Sequence, residues 1–164
     1  MDETQANHLP DGWATFVRDL TITDRAGRAI PFRRDTGAAW EMEGPHTGPV
    51  VLAYRVDLSF VRKAWPAGNE QAGFFDGDAL YLVTKALFIA GDAPGERRVT
   101  FDLPEGWKAT TPWPRASGDS WTFLVADRTD LLRNSFVVGR HVEIRWPTFW
   151  PTSCSSNCLA PLDG

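Results

Sequence analysis

Glycine and proline interrupt this chain so often that turns are favoured over long helices. The 164 residues include 14 Gly and 12 Pro, and the segments between these turn residues are short. Within many of them apolar and polar side chains alternate, a period typical of half-buried strands. Strand-like segments do not alternate with helical ones, which disfavours a parallel doubly wound sheet. The sequence therefore predicts an all-β fold, a two-sheet antiparallel β-sandwich with at most one short helix.

Eight strands are predicted, at residues 15–23, 29–33, 38–43, 50–60, 79–90, 97–103, 120–126 and 141–146. Residues 79–90 are almost continuously apolar, so a buried helix is an alternative there to a strand bent near Lys85. Residues 61–78 lack periodicity and are predicted to form the longest irregular stretch. Asp127 is placed to cap a single helical turn that buries Leu131.

Charge and hydropathy narrow the classes of function. The net charge is -4, so no basic excess is available for nucleic acid. No apolar run approaches the roughly 20 residues of a membrane span, and residues 1–10 lack the basic start and apolar stretch of a signal peptide. We expect no nucleic-acid or membrane partner, and a cytoplasmic location by default.

The chain divides by composition into a β-sandwich domain at residues 1–146 and an irregular tail at 147–164, rich in Pro, Ser and Cys. The tail holds both cysteines, Cys154 and Cys158. Two ligands do not complete a tetrahedral zinc site. An incidental pair is therefore favoured over a disulfide or a metal site.

No catalytic motif is present in the sequence. The three histidines, His8, His46 and His141, are far apart, whereas a zinc hydrolase places two histidines one helical turn apart. On a strand, His141 and Glu143 would share a face, but no second histidine follows. There is no Gly-x-Ser-x-Gly nucleophile elbow, and a hydrolase with a scattered triad is the least favoured hypothesis.

Tryptophans offer another hypothesis. Trp107, Trp113 and Trp121 lie within fifteen residues of one another. Exposed aromatic platforms bind sugars and peptides, but tryptophans equally fill cores and interfaces. A free-standing carbohydrate- or peptide-binding module is therefore an alternative, which burial of these side chains would exclude.

Four segments, in chain order, resemble one family. Residues 48–56, GPVVLAYRV, resemble its G-x-V-x-V-x-Y-R-V strand. Residues 73–82, GFFDGDALYL, resemble its G-F-F-x-G-T-S-L-F-L passage. Residues 103–110, LPEGWKAT, resemble its P-x-G-W-x-V-A-T turn, and residues 126–139 its A-x-x-Y-D-E-L segment. The family is the glycyl-aminopeptidase group of zinc metallopeptidases, metallopeptidase family sixty-one, and the resemblance is to its N-terminal domain.

The resemblance implies a β-sandwich that precedes a thermolysin-like catalytic domain. In the family, zinc belongs to that catalytic domain, and nothing here matches its His-Glu-x-x-His helix. The implied role is a non-catalytic accessory domain without a cofactor of its own. Its expected partner is a metallopeptidase catalytic domain, in cis or in trans, whose substrate cleft it helps to shape.

A domain that packs on a partner should expose apolar surface when the partner is absent. Trp65, Phe74 and Phe75 lie in the irregular stretch, where no strand periodicity buries them. A large exposed apolar patch usually marks an interaction site. These three residues are the predicted interface, and we expect at least one of them to be exposed.

Overall fold

The computed structural model describes residues 11–35, 39–62, 73–118 and 121–143 of the chain. These residues form ten strands: β1 Val17–Asp24, β2 Phe32–Arg34, β3 Trp40–Met42, β4 Val50–Val56, β5 Gly73–Phe75, β6 Ala79–Val83, β7 Arg97–Thr100, β8 Lys108–Thr110, β9 Thr122–Val125 and β10 Ser135–Gly139. They also form one α-helix, α1 Arg128–Leu132, and 3₁₀ helices at Gly12–Phe16, Leu58–Arg62 and Thr84–Ala86.

All strand pairs are antiparallel. The largest sheet has four strands in the order β5-β6-β10-β8, and the pairs β1-β4, β2-β3 and β7-β9 form three further sheets. An antiparallel, mostly β fold with one short α-helix is therefore confirmed. No helix among the described residues is long and apolar enough to cross a membrane.

One hydrophobic core joins the four-stranded sheet to the β7-β9 pair. Phe136 of β10 lies 5.0 Å from Phe101, which lies 5.8 Å from Phe123 of β9, both in edge-to-face contacts between ring centroids. Phe60, from the second 3₁₀ helix, and Val125 are completely buried. Two sheets that share a core are the layered arrangement expected of such folds.

The single buried polar side chain of the described residues, Thr84, fixes the end of β6. Its hydroxyl donates to the Asn134 carbonyl at 2.8 Å and accepts from the Asn134 amide at 3.2 Å. A buried hydroxyl with both functions satisfied avoids the cost of desolvation. Here the chain leaves β6 for the 3₁₀ helix, so residues 79–90 form neither one long strand nor a buried α-helix.

The helix prediction is confirmed in its details. The Asp127 carboxylate accepts from the Asp130 amide at 2.8 Å, and Leu131 is buried. The cap satisfies one of the amides that have no partner within the first helical turn.

Several strand predictions are wrong. The strand at residues 50–60 ends at Val56, and residues 58–62 are a 3₁₀ helix. Part of the irregular stretch 61–78 is strand β5, and β8 and β10 were not predicted. Of the predicted strand 141–146, residues 141–143 form no strand. Residues 144–146 and the tail at 147–164, with Cys154 and Cys158, lie outside the described residues.

Candidate functional site

An aligned row of four side chains crosses the largest sheet on the face away from the core. The strand register places Phe74 opposite Tyr81, Tyr81 opposite Val137, and Val137 opposite Thr110. Side chains on a strand alternate between the two faces of a sheet. Phe136, the neighbour of Val137, is buried in the core, so the row lies on the opposite side. We call this side the outer face.

The outer face holds a shallow, mostly apolar cavity of about 530 Å³. The ring of Phe74 stacks on that of Tyr81, with centroids 5.5 Å apart and planes 25° from parallel. Ala79 and Val142 complete the apolar wall. Phe74 is 42% exposed and Val142 is 84% exposed. An antiparallel sheet usually turns polar residues to water on its second face, so an apolar second face indicates an interaction surface.

Three polar side chains meet at one edge of the cavity. The Thr110 hydroxyl donates to the Glu143 carboxylate at 2.5 Å and lies 2.6 Å from His141 Nε2. Because the hydroxyl has a single proton, which Glu143 accepts, Nε2 must be the donor to Thr110 Oγ1. His141 Nδ1 is buried without a hydrogen-bond partner.

This arrangement differs from a catalytic triad. In a triad the histidine lies between the hydroxyl and the carboxylate and takes the hydroxyl proton. Here the hydroxyl of Thr110 lies between His141 and Glu143, so the imidazole does not activate it. Among the described residues, no group of three or more His, Cys, Asp or Glu side chains could hold a metal ion.

Asp76 forms the turn that brings β5 beside β6 at the rim of the cavity. Its carboxylate accepts from the amides of Asp78 at 3.0 Å and Ala79 at 2.8 Å. These backbone hydrogen bonds, first that from Ala79, hold the pKa of Asp76 below its ordinary value. The rim therefore carries a negative charge beside the apolar wall.

The structure separates the residues of the predicted interface. Trp65 lies outside the described residues. Phe74 is on the outer face, whereas Phe75, 36% exposed, is the next residue of the strand and pairs with Leu80, so it points to the other face of the sheet. The expected exposure is confirmed for both phenylalanines, but only Phe74 lines the cavity.

Sequence reasoning missed most of the cavity wall. Tyr81 lies inside the quoted passage 73–82, but nothing in that passage says which face of the sheet it occupies. Val137 and Thr110 belong to strands that were not predicted, so their register with Tyr81 could not be derived. The only trace of this wall in the sequence is the short apolar run within β10.

The three clustered tryptophans do not form an exposed platform. Trp113 is buried, and Trp107 and Trp121 are half-buried against the core. The Arg115 guanidinium covers the Trp121 ring at 4.3 Å from its centroid. The hypothesis of a carbohydrate- or peptide-binding module built on these side chains is therefore not supported.

Comparison with known proteins gives the family. The family described as "Peptidase M61 N-terminal domain" matches residues 3–140. No curated protein matches the chain. A solved structure of an aminopeptidase N family protein from Idiomarina loihiensis is similar, with a TM-score of 0.59 and 21% sequence identity. The match covers 77% of this chain and 22% of that one, and at this identity it shows the fold alone. With a family match over most of its length, the chain belongs to the Peptidase M61 N-terminal domain family.

Proposed function

We propose that this chain is a non-catalytic accessory domain that packs on a metallopeptidase catalytic domain, in cis or in trans, and helps to shape its substrate cleft. Membership of a peptidase N-terminal domain family supports the kind of partner. The observation that carries the proposal is the outer face, where Phe74, Tyr81 and Val137 form an apolar row opposite the core. Covering such a row removes apolar area from water, which favours association.

The chemistry of the outer face fits docking better than catalysis. The hydroxyl of Thr110, which lines the cavity, already donates to a carboxylate. The polar groups of the outer face form a rim around an apolar centre, which is the usual arrangement of a protein interface. Asp76 and Glu143 on that rim favour a partner that presents a basic group there.

The path of the chain also favours this face. Strand β10 ends at Gly139, and residues 141–143 continue along the cavity. Residue 143, the last that the structure describes, therefore lies beside the outer face. A catalytic domain linked through the chain beyond it would have a high effective concentration at this surface.

Association with a catalytic domain of the family tests the docking surface. We expect Val142→Asp to weaken binding by about tenfold or more, because it places a charge among apolar contacts, measured by isothermal titration calorimetry. Val51→Asp is the matched control, since Val51 is 54% exposed on β4 of a different sheet, and it should leave binding unchanged. Equal effects of the two substitutions would contradict docking through the outer face.

A separate assay tests the absence of catalysis. The purified chain, supplied with zinc and with glycyl and alanyl peptide substrates, should give no turnover. Turnover that a chelator abolishes would show that the chain is itself an enzyme.

A further inference from the structure

A second concavity lies between the β1-β4 sheet and the segment that follows the third 3₁₀ helix. This groove has a volume of about 530 Å³, within the range of small-molecule sites. Its floor is lined by half-buried or buried apolar side chains: Trp13, Leu20, Ile22, Leu52, Leu87 and Phe88. Exposed residues such as Met42, Gly91 and Asp92 form its rim.

The hydroxyl of Tyr54 holds the wall of the groove in place. It donates to the Leu87 carbonyl at 2.9 Å and accepts from the Ile89 amide at 3.2 Å. One side chain thus ties residues 87–89 to strand β4. These hydrogen bonds hold residues 87–89 against β4 while the space between them stays open. The groove is therefore preformed, as ligand sites usually are.

The cations that line the groove differ in their partners. Arg128 pairs with Asp92 across 3.4 Å. Lys85 is half-buried, and no carboxylate of the described residues lies within ion-pair distance of it. A lysine usually lays its alkyl stem along apolar surface and keeps its charged ammonium group accessible to water and ligands. The groove therefore combines an apolar floor with one uncompensated cation.

We propose that this groove binds an amphipathic carboxylate, a molecule with one alkyl chain and one carboxylate group. The alkyl chain would lie on the apolar floor, and the carboxylate would pair with the oppositely charged ammonium group of Lys85. The floor side chains are at most partly exposed, so they lie below the rim. A slender alkyl chain can reach them, whereas the flat surface of another domain would contact only the rim. This site is independent of the docking surface, since no residue lines both cavities.

Decanoate, below its micellar range, is the probe, and binding to the full chain can be followed by calorimetry and by the fluorescence of Trp13 and Trp40, which line the groove. We expect Lys85→Gln to weaken decanoate binding by about tenfold, as loss of a charge-assisted contact should. Lys108→Gln is the matched control, because Lys108 lies on β8 and outside the groove. It should leave decanoate binding unchanged.

Decanol separates the role of the charge from that of the apolar floor. It should bind more weakly than decanoate to the native chain and equally to native and Lys85→Gln proteins. The proposal is overturned if decanoate fails to bind, or if it binds Lys85→Gln as well as the native chain. Failure to bind would leave a protein segment as the occupant of the groove. The effect of Val142→Asp on domain docking would be untouched by either result.

Discussion

Gly139 is the position where one added methyl group should disturb both the fold and the outer face. It ends β10 with φ at +150°, a conformation that residues with a side chain rarely adopt. A Cβ atom there would lie 2.3 Å from the Asp78 carbonyl oxygen and 2.5 Å from the Ala79 Cα. Both neighbours are backbone atoms, so no rotation of a flexible side chain can make room.

The cost of Gly139→Ala has two sources. Holding a residue with a side chain in an unfavourable backbone conformation costs about 1–3 kcal/mol. Overpacking against a fixed neighbour adds a further 1–3 kcal/mol or so. We expect the free energy of unfolding to fall by about 2–6 kcal/mol, a large part of the total stability of a small domain.

Urea denaturation followed by tryptophan fluorescence measures this loss. Gly91→Ala is the matched control, because a Cβ there meets no atom within 4 Å, and its effect should stay within about 1 kcal/mol. If Gly139→Ala unfolds within about 0.5 kcal/mol of the native chain, a difference typical of harmless surface changes, then β10 does not approach the start of β6 this closely in solution.

Three further outcomes can be measured on the purified chain. Phe74→Ser and Phe75→Ser should reduce self-association in sedimentation velocity while lowering the free energy of unfolding by no more than about 1–2 kcal/mol. A loss of several kcal/mol would instead show that the rings belong to the core. Asp127→Ala should cost about 1 kcal/mol through loss of the helix cap, and Asp127→Asn, which keeps an acceptor, should cost less in the same denaturation experiment. Hydrogen bonds from the amide and guanidinium of Arg28 hold the pKa of Asp24 below its ordinary value. The resulting stability is present above the ordinary carboxyl pKa and is lost as pH falls through the lowered one, so Asp24→Asn should flatten the acid limb of a stability-versus-pH curve; an unchanged limb would contradict this role.

The elements whose existence was predicted correctly, even where a boundary such as the end of β4 was wrong, are those with local signals. Strand β4 has seven residues whose burial alternates, and the capping carboxylate of Asp127 lies next to the helix it caps. Both features can be seen within a window of ten residues.

The elements that were missed depend on distant partners. Strands β5 and β8 have three residues each, too few to show a period, and they exist because β6 and β10 offer free edges for pairing. Residues 141–143 alternate in polarity like a strand, but the pairing of β10 ends at Gly139 and they form no strand. The outer face required the register of four strands, which alternation within one segment does not determine.

The position of β10 has a consequence for how the protein reaches its native state during synthesis. β10 is the last strand along the described chain, yet it lies inside the largest sheet, between β6 and β8. Until the ribosome has released residues 135–139, β8 has no partner in that sheet and the edge of β6 is open. Exposed strand edges and apolar faces are where nascent chains aggregate. A chain interrupted before residue 135 should therefore be an aggregation hazard and a substrate for chaperones, whereas the β1-β4 pair can form long before.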